Sequence, residues 1–276
     1  MLQESPLVSV VMPVYNARKF LAKAISSIIS QSLANFELII INDGSTDGSL
    51  EIINSFASTD KRIHVISNRS PLGKAGDAAK EQGIKVSKGK YIAIMDADDT
   101  AMPNRLEVQY NFMEAHPDVF LCGSWAEYVD ANDEKFLEWK PAIDHDQIVN
   151  KLYFKNSIMH PTFFFRNENL PTPFYETKYE YYNDYYTQLK LIKLGKRLAN
   201  VPHFLLSYRV SGSATTQSNI KNKALEYFDI RKEIADYSAC KPSLTDRAKV
   251  FAQYVAIKYL PEKIVLRFHP IFKKTI

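Results

Sequence analysis

From Leu7 to His116 the chain alternates four times between a short, largely apolar run and an amphipathic stretch. The runs are "LVSVVMPV" (7–14), "FELIII" (36–41), "IHVIS" (63–67) and "YIAIM" (91–95). Short apolar segments rich in valine and isoleucine predict strands buried on both faces. The intervening stretches predict helices. In "ARKFLAKAISSIIS", residues Phe20, Leu21, Ala24, Ile25, Ile28 and Ile29 recur at helical spacing and form one apolar stripe. A second helix is expected over 47–57, with Ser45 or Thr46 as its cap. A third spans 74–86, weakened by Gly76 and Gly83, and a fourth spans 103–116 with Pro103 near its first turn. Strand–helix alternation of this kind implies a parallel sheet covered by helices on both faces.

Ligands of such sheets bind beyond the carboxyl ends of the strands. Four loops should therefore converge on one rim: Tyr15 and Asn16, Asp43, Asn68 to Lys74, and Asp96 to Asp99. The last holds three carboxylates in "MDADD" directly after an apolar strand. Two explanations compete. Carboxylates spaced Asp-x-Asp bind a hard divalent cation, Mn²⁺ or Mg²⁺, which in turn holds a diphosphate. Alternatively they cap the helix that begins at Pro103, where negative charge is favourable. Asp43 on a neighbouring strand end favours the cation for Asp96 and Asp98 and leaves Asp99 as the cap. Asp47, within "NDGSTDG", fits a local Asx turn.

After residue 117 the rhythm changes. "VFLCGSWAEYV" and "HFLLSYRV" read as strands, and "DHDQIVNKLYF" as a helix. "TPFYETKYEYYNDYYTQLKLIKLG" is rich in tyrosine, and helices are expected near 218–237 and 243–260. The reading is one α/β domain in two parts, 1–116 and 117–215, followed by a helical extension with a basic tail (216–276). Two distant cysteines without CxxC spacing, a start without a signal-peptide pattern and no membrane-length apolar run predict a cytoplasmic protein. From Lys241 onward eight Lys and Arg residues face two acids, so the tail carries more than the whole net charge of +4. A peripheral contact with the inner face of the cytoplasmic membrane would suit that tail. No nucleic-acid partner is expected.

In order and spacing, "VSVVMPVYNARKFLAKAISSIISQS", "FELIIINDGSTDGS" and "GKYIAIMDADDTAMPNRLEVQ" resemble the family 2 glycosyltransferases of the GT-A fold. The resemblance spans roughly residues 5 to 215. It implies a Rossmann-like, mostly parallel sheet flanked by helices. It also implies a nucleotide-sugar-binding half (1–116), an acceptor-binding half (117–215), and inverting transfer of a sugar from a nucleotide-diphosphate donor, UDP-linked, to a glycan or lipid-linked acceptor in surface polysaccharide or lipooligosaccharide assembly. Pro13, Tyr15 and Asn16 match the turn that contacts the nucleobase, and Asp43 the acid that holds the base. Asp96 matches the acid near the ribose, and with Asp98 completes the Asp-x-Asp motif that ligates Mn²⁺ or Mg²⁺. Lys80 stands where the family often has arginine, and Lys74 is a second cation for the diphosphate. Asp184, in "NDYYTQLKL", aligns with the catalytic base, and Asn183 replaces the glutamate that usually precedes it. His160 and Asn183 are candidate acceptor contacts. Ser211 stands at a position usually held by a histidine that ligates the metal. The alternative is a non-catalytic nucleotide-sugar-binding relative with a degraded site, a reading fed by Asn183 and Ser211.

Overall fold

The computed structural model describes residues 5–210, 220–237 and 242–259. Its strands are β1 (Val8–Val14), β2 (Phe36–Asp43), β3 (Ile63–Asn68), β4 (Tyr91–Ile94), β5 (Thr100–Ala101), β6 (Val119–Val129), β7 (Lys135–Trp139), β8 (Phe164–Arg166) and β9 (Arg197–Arg209). The helices are α1 (Arg18–Ile29), α2 (Ser49–Thr59), α3 (Asp77–Val86), α4 (Arg105–Ala115), α5 (His145–Leu152), α6 (Asn183–Lys193), α7 (Ile220–Asp236) and α8 (Leu244–Tyr259).

One nine-stranded sheet runs β3-β2-β1-β4-β8-β6-β9-β5, with β7 beside β6. The first four strands are parallel. β8 then pairs antiparallel with both β4 and β6, and β6 pairs parallel with β9. The second part of the chain thus continues the sheet from β4, the outermost of the parallel strands. Alternation along β1 divides the core in two. Val8, Val10, Met12 and Val14 join Leu21, Ala24 and Ile25 of α1 and Leu106 of α4 on one face. Val11, Ile39, Ile41, Ile92 and Ile94 join Ala79 and Ile84 of α3 and the α6 residues Leu189 and Leu191 on the other.

Two expected caps are corrected. Neither Ser45 nor Thr46 caps α2. Gly48 occupies the N-cap with φ 89°, and Asp47 accepts the Ser49 N–H at 3.0 Å. The short side chain of Asp47 reaches the first free N–H of the helix, which the earlier hydroxyls do not. Asp99 does not cap α4, whose N-cap is Asn104.

Candidate active site

Strand register builds the rim. Val14 lies beside Asn42, and Asp43 beside Asn68, so three strand ends meet. Met95 donates its N–H to the Val11 carbonyl at 3.0 Å, bringing "DADD" alongside. Tyr15 is 56% exposed above this edge. Asn16 adopts φ 50°, and its side chain accepts the Thr46 N–H at 2.8 Å while its own N–H donates to Ser45 Oγ at 3.1 Å. The turns after β1 and β2 are thereby locked together. Asp43 is buried. It accepts from Asn68 Nδ2 at 2.8 Å and from the Leu72 N–H at 3.0 Å, which holds the 68–72 loop against the rim.

The three carboxylates behave differently. Asp96 is partly exposed and faces Lys80 Nζ at 3.4 Å. Asp98 makes no hydrogen bond or ion pair to another side chain among the described residues. Burial and the Asp96 charge push its pKa up to about 6. Asp99 is buried, and its Oδ1 accepts the Arg209 N–H at 2.7 Å while Oδ2 has no hydrogen-bond partner among the described residues. Burial and the two neighbouring acids raise its pKa well above the usual range. Arg209, read in the sequence only as a strand end, fixes this loop. It donates to the Asp98 carbonyl at 2.9 Å and the Asp130 carbonyl at 2.7 Å, reaches Asp133, and lies over the Phe20 ring.

Among the described residues no group of three or more His, Cys, Asp or Glu side chains is arranged to hold a metal ion. The pair Asp96 and Asp98 still fits a hard cation. Both are oxygen donors at the rim, and Asp98, with no side-chain ion pair among the described residues, is crowded by the Asp96 charge, a strain that a cation relieves. Mg²⁺-type sites commonly use only one or two protein carboxylates plus phosphate and water.

The start of α3 contributes more than the sequence indicated. Residues Gly73, Lys74, Ala75 and Gly76 all have positive φ, two of them without being glycine. Such a run is sparsely populated and concentrates at functional loops. It delivers Asp77 and Lys80 to the interior side of the rim, both about 2% exposed. Lys80 Nζ lies 3.5 Å from Asp77 Oδ1 and 3.4 Å from Asp96 Oδ1. The nearby acids outweigh burial and raise its pKa, so it is charged. Glu81 accepts the N–H groups of Phe174 and Tyr175 at 3.2 and 3.1 Å, fastening the tyrosine-rich segment to α3. Lys74 points elsewhere, pairing with Glu180 at 3.0 Å.

Asp184 opens α6 on the other side of this cluster. Its Oδ2 accepts from Asn156 Nδ2 at 2.8 Å. Burial and the charge of Asp77 raise its pKa to about 7, against the pull of Lys80 and Asn156. Asn183 is fully buried. Its amide closes both ways on the Tyr179 backbone, at 2.8 Å each, and therefore shapes the loop from within. His160 shares a 2.7 Å hydrogen bond with Tyr175 Oη and lies 3.9 Å from Asp77. Burial and the Lys80 charge push its pKa well below the usual value, so it is neutral. Within the aromatic stretch, Tyr175, Tyr179 and Tyr185 are core residues, while Tyr182 and Tyr186 are half-buried. Ser211 lies outside the described residues. Pro13 is half-buried on β1 beneath Gly76 of the α3 loop.

A family model for "Glycosyl transferase family 2" matches residues 9–170. An uncharacterized glycosyltransferase from Methanocaldococcus jannaschii is 34% identical over 232 residues, spanning 83% of this chain and 79% of that protein. Among solved structures, S. aureus TarS 1-349 in complex with UDP superposes with TM-score 0.64 at 15% identity, over 93% of this chain and 73% of that one. The mannosyltransferase PcManGT from Pyrobaculum calidifontis, in complex with GDP-Man and Mn²⁺, gives TM-score 0.61 at 16% identity, over 99% of this chain and 84% of that one. At such identities these two likenesses establish the fold alone.

Proposed function

The chain belongs to glycosyl transferase family 2, and from that premise we propose that it is an inverting enzyme that moves a sugar from a UDP-linked donor to a glycan or lipid-linked acceptor. That the chain is a glycosyltransferase of GT-A fold follows from the family match and the structural neighbours. Donor base, stereochemistry and acceptor belong to the proposal. The observation that carries it is the convergence of Asp43, Asp96 and Asp98 on one rim, with Asp184 within electrostatic reach of Lys80 behind it.

Asp43, with the turn of Pro13, Tyr15 and Asn16, forms the nucleobase end of the site. Asp96 stands at the ribose, and Lys80 supplies positive charge beside it. Asp96 and Asp98 would hold Mn²⁺ or Mg²⁺, which when bound offsets negative charge on the leaving diphosphate. Asp184 acts as general base. The acceptor oxygen forms its bond to the anomeric carbon as the carbon–oxygen bond to phosphate breaks. The electron pair departs with the nucleoside diphosphate, and the acceptor proton passes to Asp184. A base with a pKa near 7 is well matched to neutral pH. His160, neutral and bonded to Tyr175, lines the acceptor side. Lys74 is held by Glu180 at 3.0 Å and would turn to the diphosphate when that pair opens. The basic C-terminal segment would rest on an anionic membrane, and the outer face of α8 exposes Leu244, Phe251 and Tyr259.

Thermal-shift screening of nucleotide sugars with Mn²⁺ identifies the donor, and Asp184→Asn tests the base. That variant should keep donor affinity and lose turnover by about 10²–10⁴-fold. Wild-type turnover in it would remove Asp184 from this role.

A further inference from the structure

Among the described residues one side chain hydrogen-bonds the Asp184 carboxylate: Asn156, whose Nδ2 donates to Oδ2 at 2.8 Å. Asn156 belongs to the loop between α5 and the 3₁₀ turn at His160–Thr162, and it meets a carboxylate 28 positions later in the chain. Its amide has one orientation that satisfies its neighbours. Oδ1 accepts from Gln188 Nε2 at 2.6 Å and from the Ile158 N–H at 3.3 Å, so the N–H side is left to Asp184. Turned over, the amide would set its N–H groups against two donors and its carbonyl oxygen against a carboxylate.

The loop that carries Asn156 is pinned by three elements. Asn200 of β9 donates to the Ser157 carbonyl at 3.0 Å, and Gln188 of α6 to the Ile158 carbonyl at 3.2 Å. From α7, the Tyr227 hydroxyl accepts the Asn156 N–H at 3.2 Å, and Arg231 donates to the Phe154 carbonyl. The Tyr227 ring stacks on Tyr185, the residue after Asp184, with centroids 4.8 Å apart. Glu226 on the same helix accepts the N–H groups of Glu180 and Tyr181, at 3.0 and 2.9 Å, just ahead of Asp184. One helix thus braces both the Asn156 loop and the segment that opens α6. That helix lies beyond residues 9–170, the part matched by the family model. These braces hold backbone groups of the loop, which any residue at 156 would supply. The amide side chain is therefore explained by what it does to Asp184. A hydrogen bond to an ionised acceptor is about twice as strong as a neutral one, and it fixes the plane of the carboxylate.

We propose that Asn156 is a positioning residue for the transfer step: it holds the Asp184 carboxylate in the orientation that receives the acceptor's proton, with Gln188 setting its amide and Tyr227 bracing its loop. The inference rests on Asp184 being the base. Asn156 acts through that side chain, and α7 becomes a working part of the site.

A double-mutant cycle in the full-length chain separates positioning from mere support of the fold. Wild type, Asn156→Ala, Asp184→Asn and the double variant are compared by steady-state release of nucleoside diphosphate with Mn²⁺ present and water as acceptor. UDP-glucose, UDP-GlcNAc and GDP-mannose are the donors, and the one that the wild type cleaves fastest is used. Asn156→Ala should lower kcat by about 10- to 100-fold, the cost of a misplaced catalytic group, and leave donor KM unchanged. Added to Asp184→Asn it should lower the residual rate no further, because residues that act as a unit are not additive. An equal fold-loss in both backgrounds overturns the proposal, and so does wild-type kcat in Asn156→Ala. If Asn156→Ala fails to fold, Asn156→Asp keeps the shape and removes the donor, and the same pattern is required of it. Tyr227→Phe keeps the ring on Tyr185 and drops only the hydroxyl; it should lower kcat at unchanged KM, and only where Asp184 is present. Failure of the underlying reading looks different: Asp184→Asn alone then turns over at the wild-type rate.

Discussion

At the scale of single residues, the site works by holding acids where acids are costly. In the proposed mechanism Asp184 must be ionised to accept a proton, and burial and the Asp77 charge raise its pKa to about 7. Turnover at saturating substrate should therefore rise with pH through about 7, and a pH–kcat profile checks this. The same shift bears on stability. A carboxylate whose folded pKa lies above its unfolded value costs stability once ionised. The cost is fully present above pH 7 and is lost as pH falls toward the ordinary value of 3.8. Asp184→Asn should accordingly melt higher than wild type at pH 8, with the gain shrinking toward pH 4 in scanning calorimetry. Arg209 shows the opposite economy. Its buried guanidinium holds the Asp98 and Asp130 carbonyls and Asp133. Arg209→Ala should cost about 3–5 kcal/mol in urea unfolding, since it strands groups already removed from water. The rim residues Asp43, Asp96 and Asp98 were legible because each directly ends a recognisable strand. Arg209 and Asp77 were not. Their partners lie 111 and 83 positions away, and nothing local distinguishes them from surface charges.

At the scale of elements, α3 sits unusually close to the sheet. A Cβ on Gly83 would meet Val11 Cγ1 at 2.6 Å and Ile41 Cδ1 at 2.8 Å. The glycine that looked like a weakness in the sequence is what lets α3 carry Lys80 to Asp96. In an exposed helix Gly→Ala gains up to about 1 kcal/mol. Here Gly83→Ala should instead destabilise by about 1–3 kcal/mol, measurable by chemical denaturation, and should weaken donor binding by displacing Lys80. The long elements were legible because apolar periodicity persists over several turns or residues. β5 has two residues, and β7 exposes most of its length, so neither carries an apolar pattern to read. The α4 cap was misjudged because Asp99, five residues before Asn104, is drawn inward by the distant Arg209 N–H.

At the scale of the molecule, one sheet joins the parallel strands of the first 95 residues to the later strands through the pairing of β4 with β8. Lys74 and Glu180 bridge them again at the surface. No helix among the described residues is long and apolar enough to cross a membrane. If the tail docks on a bilayer instead, liposomes containing anionic lipid should sediment the full chain but not a form lacking residues 261–276. Equal sedimentation of both forms would remove the membrane contact. The fold was readable at this scale because the strand–helix rhythm dictates a parallel sheet. The continuation through β8, β6 and β9 was not, because antiparallel and parallel insertion of late strands leaves no local signature. The central claim is that the rim binds a nucleotide diphosphate through Asp98 and a divalent cation. Calorimetric titration of UDP into the wild-type chain and Asp98→Ala, each with and without Mn²⁺, tests it most directly. Binding that requires Mn²⁺ in the wild type and is lost in the variant is predicted; equal affinity of the two chains with Mn²⁺ present would contradict it.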